Sequence, residues 1–327
     1  MAGELARARG PVRAWNEFFF TPADPRPLAL ARIVVGVLLV WNWVWIGFDL
    51  NDTLKGLAWA DPASAISLTP PGGWSIWFWV PDGLVGPVWW AGLVVFGAYT
   101  LGAWSRVMAW IAWILVVSTI RRAPVIIFGF DNVMAIWTFY LAVSGASGQA
   151  YSFDYWLRAR RSGGVPPTVS ANLGLRLIQL HLCLIYASAG LAKLQGTPWW
   201  DGTAVGMLLG NSEFRPFDLE FLAEHPTFLE FATHLTVGFE LLYPILIWRI
   251  GLRPWILAVA ALLHVGIALT MGLTEFAIAM LAGNLAFVRP AWLDAIERLV
   301  HRRSSGAGLQ SEKAVAPDSS RRRIRKR

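Results

Sequence analysis

NLGLRLIQLHLCLIYASAGLAKLQGTPWWDG, residues 172–202, is apolar enough to cross a bilayer, yet it carries Gln179, His181, Tyr186 and Lys193. At 100° per residue, Gln179, Cys183, Tyr186, Gly190 and Lys193 fall within one narrow stripe of a helix. A polar stripe that ends in a charge is costly against lipid and belongs against protein or a water-filled cavity. The chemical centre of the chain is therefore expected beside Lys193.

The composition around this stretch is that of a polytopic membrane protein. Of 327 residues, 56% are hydrophobic and 15% charged, where a soluble domain carries about 25% charged residues. Twenty residues are Trp, a side chain that favours the membrane–water interface. The single cysteine, Cys183, excludes an intrachain disulfide and any multi-cysteine metal site; mid-helix, it reads as a small buried hydrophobe. The excess positive charge is confined to residues 289–327, which hold eleven Arg and Lys against four Asp and Glu. The partner implied is an anionic lipid surface, not nucleic acid, because the run follows the last apolar segment.

Taken in order, residues 1–27 form an N-terminal arm whose WNEFFF patch, Trp15 to Phe20, suits an interfacial helix. Residues 28–291 form the transmembrane domain, and 292–327 a basic tail too poor in apolar residues to build a core. The fold class is all-α, a polytopic transmembrane helix bundle. Spans are expected at roughly 28–48, 84–102, 105–120, 125–145, 172–195, 228–248, 254–272 and 275–291, against the ~20 residues a bilayer requires, with 105–120 short for a span. The count is eight, with seven or nine open. Arg32, in the first turns of span one, is expected to snorkel to the headgroups. The Trp74, Trp77 and Trp79 patch reads as a short interfacial helix, and Ser188 and Ala192 as a small-residue packing face.

Both termini are expected in the cytoplasm of a multi-pass cell-membrane protein. With that orientation, the arm, the Arg106 turn, the loop with Arg158 to Arg161, the Arg249/Arg253 turn and the tail lie inside, all rich in Arg. Arg121-Arg122 violates the rule. Either it pairs with an outer-loop carboxylate or a span is miscounted. The orientation places Asp131, Asn132 and Lys193 at one depth near the outer surface, with Glu275 at that level and His264 near mid-membrane.

Each of these residues has two readings. Lys193 either snorkels at a helix end or is a buried amine whose proton affinity is lowered so that it serves as a base. Asp131 either neutralises Arg121 or Arg122 or positions a substrate. Asn132 either links helices or shares that role, and His264 either satisfies a backbone carbonyl or lines a pocket. Glu240, deep in span six, needs a partner or a proton. Gln179 and His181 are expected to link helices. No glycine-rich phosphate loop, His-Glu-x-x-His or Gly-x-Ser-x-Gly motif occurs, and no two histidines stand at metal-ligand spacing on a helix. No metal is expected.

LALARIVVGVLLV in span one, Tyr186-x-x-Ala-Gly-x-x-Lys-Leu194 with Trp199-x-x-Gly202, and HVGIALTMGLTEFAIAMLAGNLAF at the end resemble the HTTM family over roughly residues 14–290. That family includes the vitamin K-dependent gamma-carboxylase. The resemblance implies that Lys193 is the base that deprotonates a reduced quinone, the one cofactor or substrate expected. It also implies a quinol-sized apolar cavity opening on the outer leaflet with Lys193 on its wall. Tyr186, Gly190, Trp199, His264 and Glu275 are expected to line it, and Asp131 or Asn132, the other expected catalytic residues, to position a substrate oxygen. The carboxylase's early histidine has no counterpart at Phe130-Asp131-Asn132, and the outer loops are short. Carboxylation of protein glutamate is therefore not the expected activity; oxygenation of a quinol-like, lipid-soluble substrate is. The competing expectation is a non-catalytic partner or maturation factor for a membrane or secreted protein.

Overall fold

The computed structural model describes residues 10–55, 61–68, 73–159, 164–210, 217 and 220–299. The basic tail after 299, Arg160 and Arg161, and Glu213, Arg215 and Asp218 of the acidic loop lie outside the described residues. Two compact units are present, residues 1–287 and 288–327. Within the second, Pro290–Leu299 is helical.

The first unit is built of helices α1 (Pro11–Phe20), α2 (Arg26–Phe48), α3 (Leu50–Thr53), α4 (Pro62–Leu68), α5 (Asp82–Leu101), α6 (Ser105–Arg122), α7 (Gly129–Ser144), α8 (Phe153–Ala159), α9 (Val169–Lys193), α10 (Thr197–Trp200), α11 (Ala204–Gly210), α12 (Pro226–Leu246), α13 (Arg253–Met271) and α14 (Thr274–Asn284). Local chemistry sets the boundaries. The Thr168 hydroxyl accepts from Ala171 N at 3.2 Å and caps α9. Gly102 and Gly272, both at φ +70°, end α5 and α13 in the left-handed conformation.

Seven of these, α2, α5, α6, α7, α9, α12 and α13, fall on expected spans and α14 on the first part of the eighth, and contacts between their ends fit helices that alternate in direction. At one end, Ala23 and Thr168 exchange backbone hydrogen bonds (3.0 and 2.9 Å), Arg32 reaches Ser147 O, and Phe18 O accepts from Asn172 and Arg176. At the other, Ser75 reaches Ser118 O, Trp41 reaches Glu275, and His234 lies 3.1 Å from Trp200 O.

Length and composition let α2, α5, α9 and α13 cross a membrane, or five spans if Thr274–Phe287 and Pro290–Leu299 count as one. Helix α14 alone has 11 residues, about 16 Å at 1.5 Å per residue, or half of a hydrocarbon core. The uninterrupted span expected at 275–291 is thus corrected to a short helix followed by a 3₁₀ turn, Leu285–Phe287. Helix α5 is apolar on both faces: Phe96 and Tyr99 are buried while Leu84, Val94 and Leu101 are exposed. Such a helix is stable in lipid, not in water.

Several expectations are revised by packing. Arg32 does not snorkel. It is fully buried and donates to Ser147 O at 2.8 Å and Tyr151 O at 2.7 Å; carbonyls of the 145–152 loop close over it and replace the headgroups. The Trp patch is divided, for Trp77 is buried against Trp43 and donates to the Thr119 hydroxyl, whereas Trp79 is exposed. Ser188 and Ala192 are exposed, so the close approach of α9 to α12 is made elsewhere. Arg122 is buried, and its guanidinium donates to Leu54 O and Lys55 O. Carbonyls just past α3 thus help to hold an arginine at that end. The helix at the WNEFFF patch is present as α1, with Phe18 under the Arg176 guanidinium at 4.1 Å.

Candidate functional site

The stripe Gln179, Cys183, Tyr186 and Gly190 is buried along α9, and Lys193 at its end is half-buried. It faces α12 and α14. Gly190 is required for that approach: a Cβ there would meet the Leu241 side chain at 3.0 Å and Glu240 Cβ at 3.2 Å. The stripe's deep end is tied to α14's C-terminal turn, Gln179 donating to Ala286 O at 2.7 Å.

Lys193 Nζ lies 2.9 Å from Glu240 Oε1 and 2.8 Å from Oε2, with side-chain exposures of 21% and 9%. Oε1 receives the hydrogen bond. Oε2 is buried and close to the ammonium but has no aligned donor. The Trp199 ring centroid stands 5.1 Å from the ammonium, within cation–π range. The short α10 holds Trp199 there, just past the end of α9. Burying a single charge at this depth is costly, and the pair is how both charges are tolerated.

About two turns deeper, Tyr186 OH and His264 Nε2 are 2.7 Å apart. Tyr243 OH donates to Asn284 Oδ1 at 2.7 Å, and Asn284 Nδ2 reaches Tyr186 OH at 3.4 Å. The Tyr186 and Tyr243 ring centroids lie 4.0 Å apart, with the planes tilted by 33°. Four helices, α9, α12, α13 and α14, therefore each contribute a polar side chain to one network. His264 Nδ1 is buried with no hydrogen-bond partner. A connected network in a buried core fixes side-chain positions and can relay a proton between hydroxyl and imidazole.

A second feature lies between α2, α6, α7 and the turn from α13 into α14. It is a cavity of about 850 Å³ whose wall includes Trp41, Phe130, Asp131, Glu275 and Phe276, a volume in the range of small-ligand sites. Its surfaces are mostly apolar, with two carboxylates. Glu275 Oε1 accepts from Trp41 Nε1 at 2.6 Å. Asp131 Oδ2 accepts from Phe128 N at 2.8 Å, closing the first turn of α7.

The structure thus brings Lys193, Gly190, Trp199, Tyr186 and His264 onto one line and places Asp131 and Glu275 on the wall of the cavity. Asn132 is exposed and, among the described residues, reaches only Phe128 O, at 3.4 Å. Among the described residues, no hydrogen bond or ion pair joins Lys193 to Asp131 or Asn132. Asp131 caps its own helix, and among the described residues no ion pair joins it to Arg121 or Arg122. His264 bonds a tyrosine hydroxyl, not a backbone carbonyl. His181 links helices as its position suggests, Nδ1 standing 2.9 Å from Tyr140 OH.

Three residues were not legible as members of the site. Glu240 was visible as a buried acid in need of a partner, but its partner lies 47 positions away. Tyr243 is one turn beyond it, which helical spacing would have offered. Arg176, which donates to Phe18 O and Gln179 Oε1, was hidden by the apolar run around it.

The HTTM domain model matches residues 131–292. The match contains the whole polar line, Asp131 and the α14 wall of the cavity, while α2, α6, Gly129 and Phe130 lie outside it. No curated protein and no solved structure matches the chain.

Proposed function

The chain is a membrane protein carrying an HTTM domain, and from that premise we propose that it binds a quinol-sized, lipid-soluble substrate and removes a proton from its hydroxyl at the Lys193–Glu240 pair, as the first step of an oxygenation. The observation that carries this reading is Glu240 Oε2, a buried carboxylate oxygen 2.8 Å from an ammonium and without an aligned donor. The resemblance to the carboxylase suggests a neutral lysine as base. The ion pair divides that role. The quinol O–H bond would break with its proton going to Glu240 Oε2, and the Lys193 ammonium would stabilise the quinolate left behind. Trp199 offers the ring a flat apolar face. Dioxygen is the oxidant the family resemblance suggests. The eight alternating helices are taken as spans with the Arg32, Arg106, Arg158, Arg176 and Arg253 end in the cytoplasm, in keeping with the excess of Arg there.

The test is turnover of reduced menaquinone under oxygen by purified protein. Wild type should consume it, and Lys193→Ala and Glu240→Gln should each lower kcat by about 100-fold or more, the scale of general-base loss. Equal turnover by all three removes the pair from the chemistry.

A second reading is favoured by one observation: Lys193 does not line the cavity that holds Asp131 and Glu275. In that reading the protein binds a lipid-soluble molecule, or a segment of a partner protein, without transforming it. It would be supported by menaquinone quenching of tryptophan fluorescence that depends on Trp41 and Asp131, with no turnover.

A further inference from the structure

At the end of the bundle opposite Lys193, the loop of residues 145–152 is held by three arginines. Arg32 donates to Ser147 O and Tyr151 O, Arg106 to Gly145 O at 3.4 Å, and Arg158 to Gly148 O at 2.9 Å. The loop fits only because Gly148 has no side chain, since an added Cβ would overlap the Ser105 hydroxyl. Backbone carbonyls orient these guanidiniums but do not cancel their charge.

The nearby carboxylate of Asp154 is already engaged. Asp154 Oδ1 accepts from Trp104 N at 2.9 Å, and Oδ2 from Ser105 N at 2.7 Å and Ser105 Oγ at 2.6 Å. Burial pushes its carboxyl up, but these hydrogen bonds and the Arg158 charge outweigh it and hold the group below the usual carboxylate range. It is therefore an anion committed to the first turn of α6. Arg32, Arg106 and Arg158 against Asp154 leave a local excess of positive charge.

Arg106 and Arg158 are exposed and border a cavity of about 400 Å³ that also includes Trp104, Val107, Gln149 and Asp154. A guanidinium has five N–H donors, and among the described residues each of these two spends one on protein. The surface that continues from the cavity along α6 is apolar and exposed at Val107 and Trp110, and Trp104 stands out at the loop edge with φ +45°. Charge, donors and apolar track together fit one amphiphile.

We propose that this cavity binds the phosphate headgroup of an anionic phospholipid, with Arg106 and Arg158 donating to the phosphate oxygens, Gln149 at the rim, and an acyl chain lying along Val107 and Trp110. Paired arginines suit phosphate because their planar forks donate two parallel hydrogen bonds. The apolar track selects a lipid over a free phosphate ester. This site is independent of the proposed chemistry at Lys193, and its success or failure leaves that reading untouched.

The experiment is native mass spectrometry of the full-length protein in mild detergent, titrated with phosphatidylglycerol, phosphatidylcholine and glycerol 3-phosphate. Wild type should retain phosphatidylglycerol in preference to phosphatidylcholine. R106Q/R158Q should bind it about 30-fold more weakly, each surface arginine contributing about fivefold, while R13Q, at an exposed arginine paired with Glu17, should bind as wild type. If the double variant does not fold, R106Q alone should lose about fivefold, since its bond to Gly145 O is long. Unchanged retention in the variants, or equal retention of phosphatidylcholine, overturns the proposal. So does glycerol 3-phosphate binding as tightly as the lipid, which would make the ligand a free phosphate ester.

Discussion

Replacing Lys193 with Met leaves the Glu240 carboxylate, 9% exposed, facing an apolar chain of similar length. Breaking a buried pair from one side costs about 3–5 kcal/mol. Lys193 itself is 21% exposed, so solvent screens part of the interaction and the lower end, about 3 kcal/mol, is expected. In thermal unfolding followed by tryptophan fluorescence in detergent, that corresponds to a fall in Tm of roughly 4–5 °C for a chain of 327 residues. Glu240→Gln, which keeps a hydrogen-bond acceptor, should cost about 1–2 kcal/mol. The Lys193→Met/Glu240→Met double variant should recover to within about 1 kcal/mol of wild type, because an apolar pair removes both desolvation penalties. The reasoning is refuted if Lys193→Met melts within about 2 °C of wild type, or if the double variant loses the sum of its two single changes. Either result would mean that the ion pair is a solvated surface contact. Combined with the turnover measurement, the cycle separates a structural pair from a catalytic one, since only the latter loses kcat in a variant that regains stability.

Tyr186→Phe removes the 2.7 Å contact to His264 and leaves the imidazole with no partner at either nitrogen. The expected cost is about 1–3 kcal/mol, read by denaturant midpoint, and Tyr186→Phe/His264→Phe should cost less than the single variant. Asp154 predicts a pH dependence. Its folded-state pKa lies below the ordinary 3.8, so the unfolded chain takes up the proton first. Its contribution is therefore full above that value and is lost as pH falls through the depressed one. Stability measured across that acid window should fall less steeply in Asp154→Asn than in wild type, and equal slopes would show that the cap does not titrate.

The sequence alone determined the helical class, eight helices at nearly their observed places, and the buried face of α9, because each rests on local pattern. An apolar run about 20 residues long, or a period of 3.6, is written within one segment. That is why Gln179, Tyr186 and Gly190 are buried as expected and why Lys193 marks the polar line. What only the tertiary structure decided are the partners. Lys193 meets Glu240, Tyr186 meets His264, and Arg32 meets the carbonyls at 147 and 151, across separations that no local period encodes. The same physics explains the misplacements. A lone arginine in a span reads as facing headgroups because it has no local alternative, and the partner of Arg32 is a loop more than a hundred residues on. Asp131 and Asn132 share a level with Lys193 on a linear depth scale, but depth is one coordinate. Helix packing supplied the other two, and it gave Lys193 a carboxylate from α12 and left Asp131 on the wall of a separate cavity.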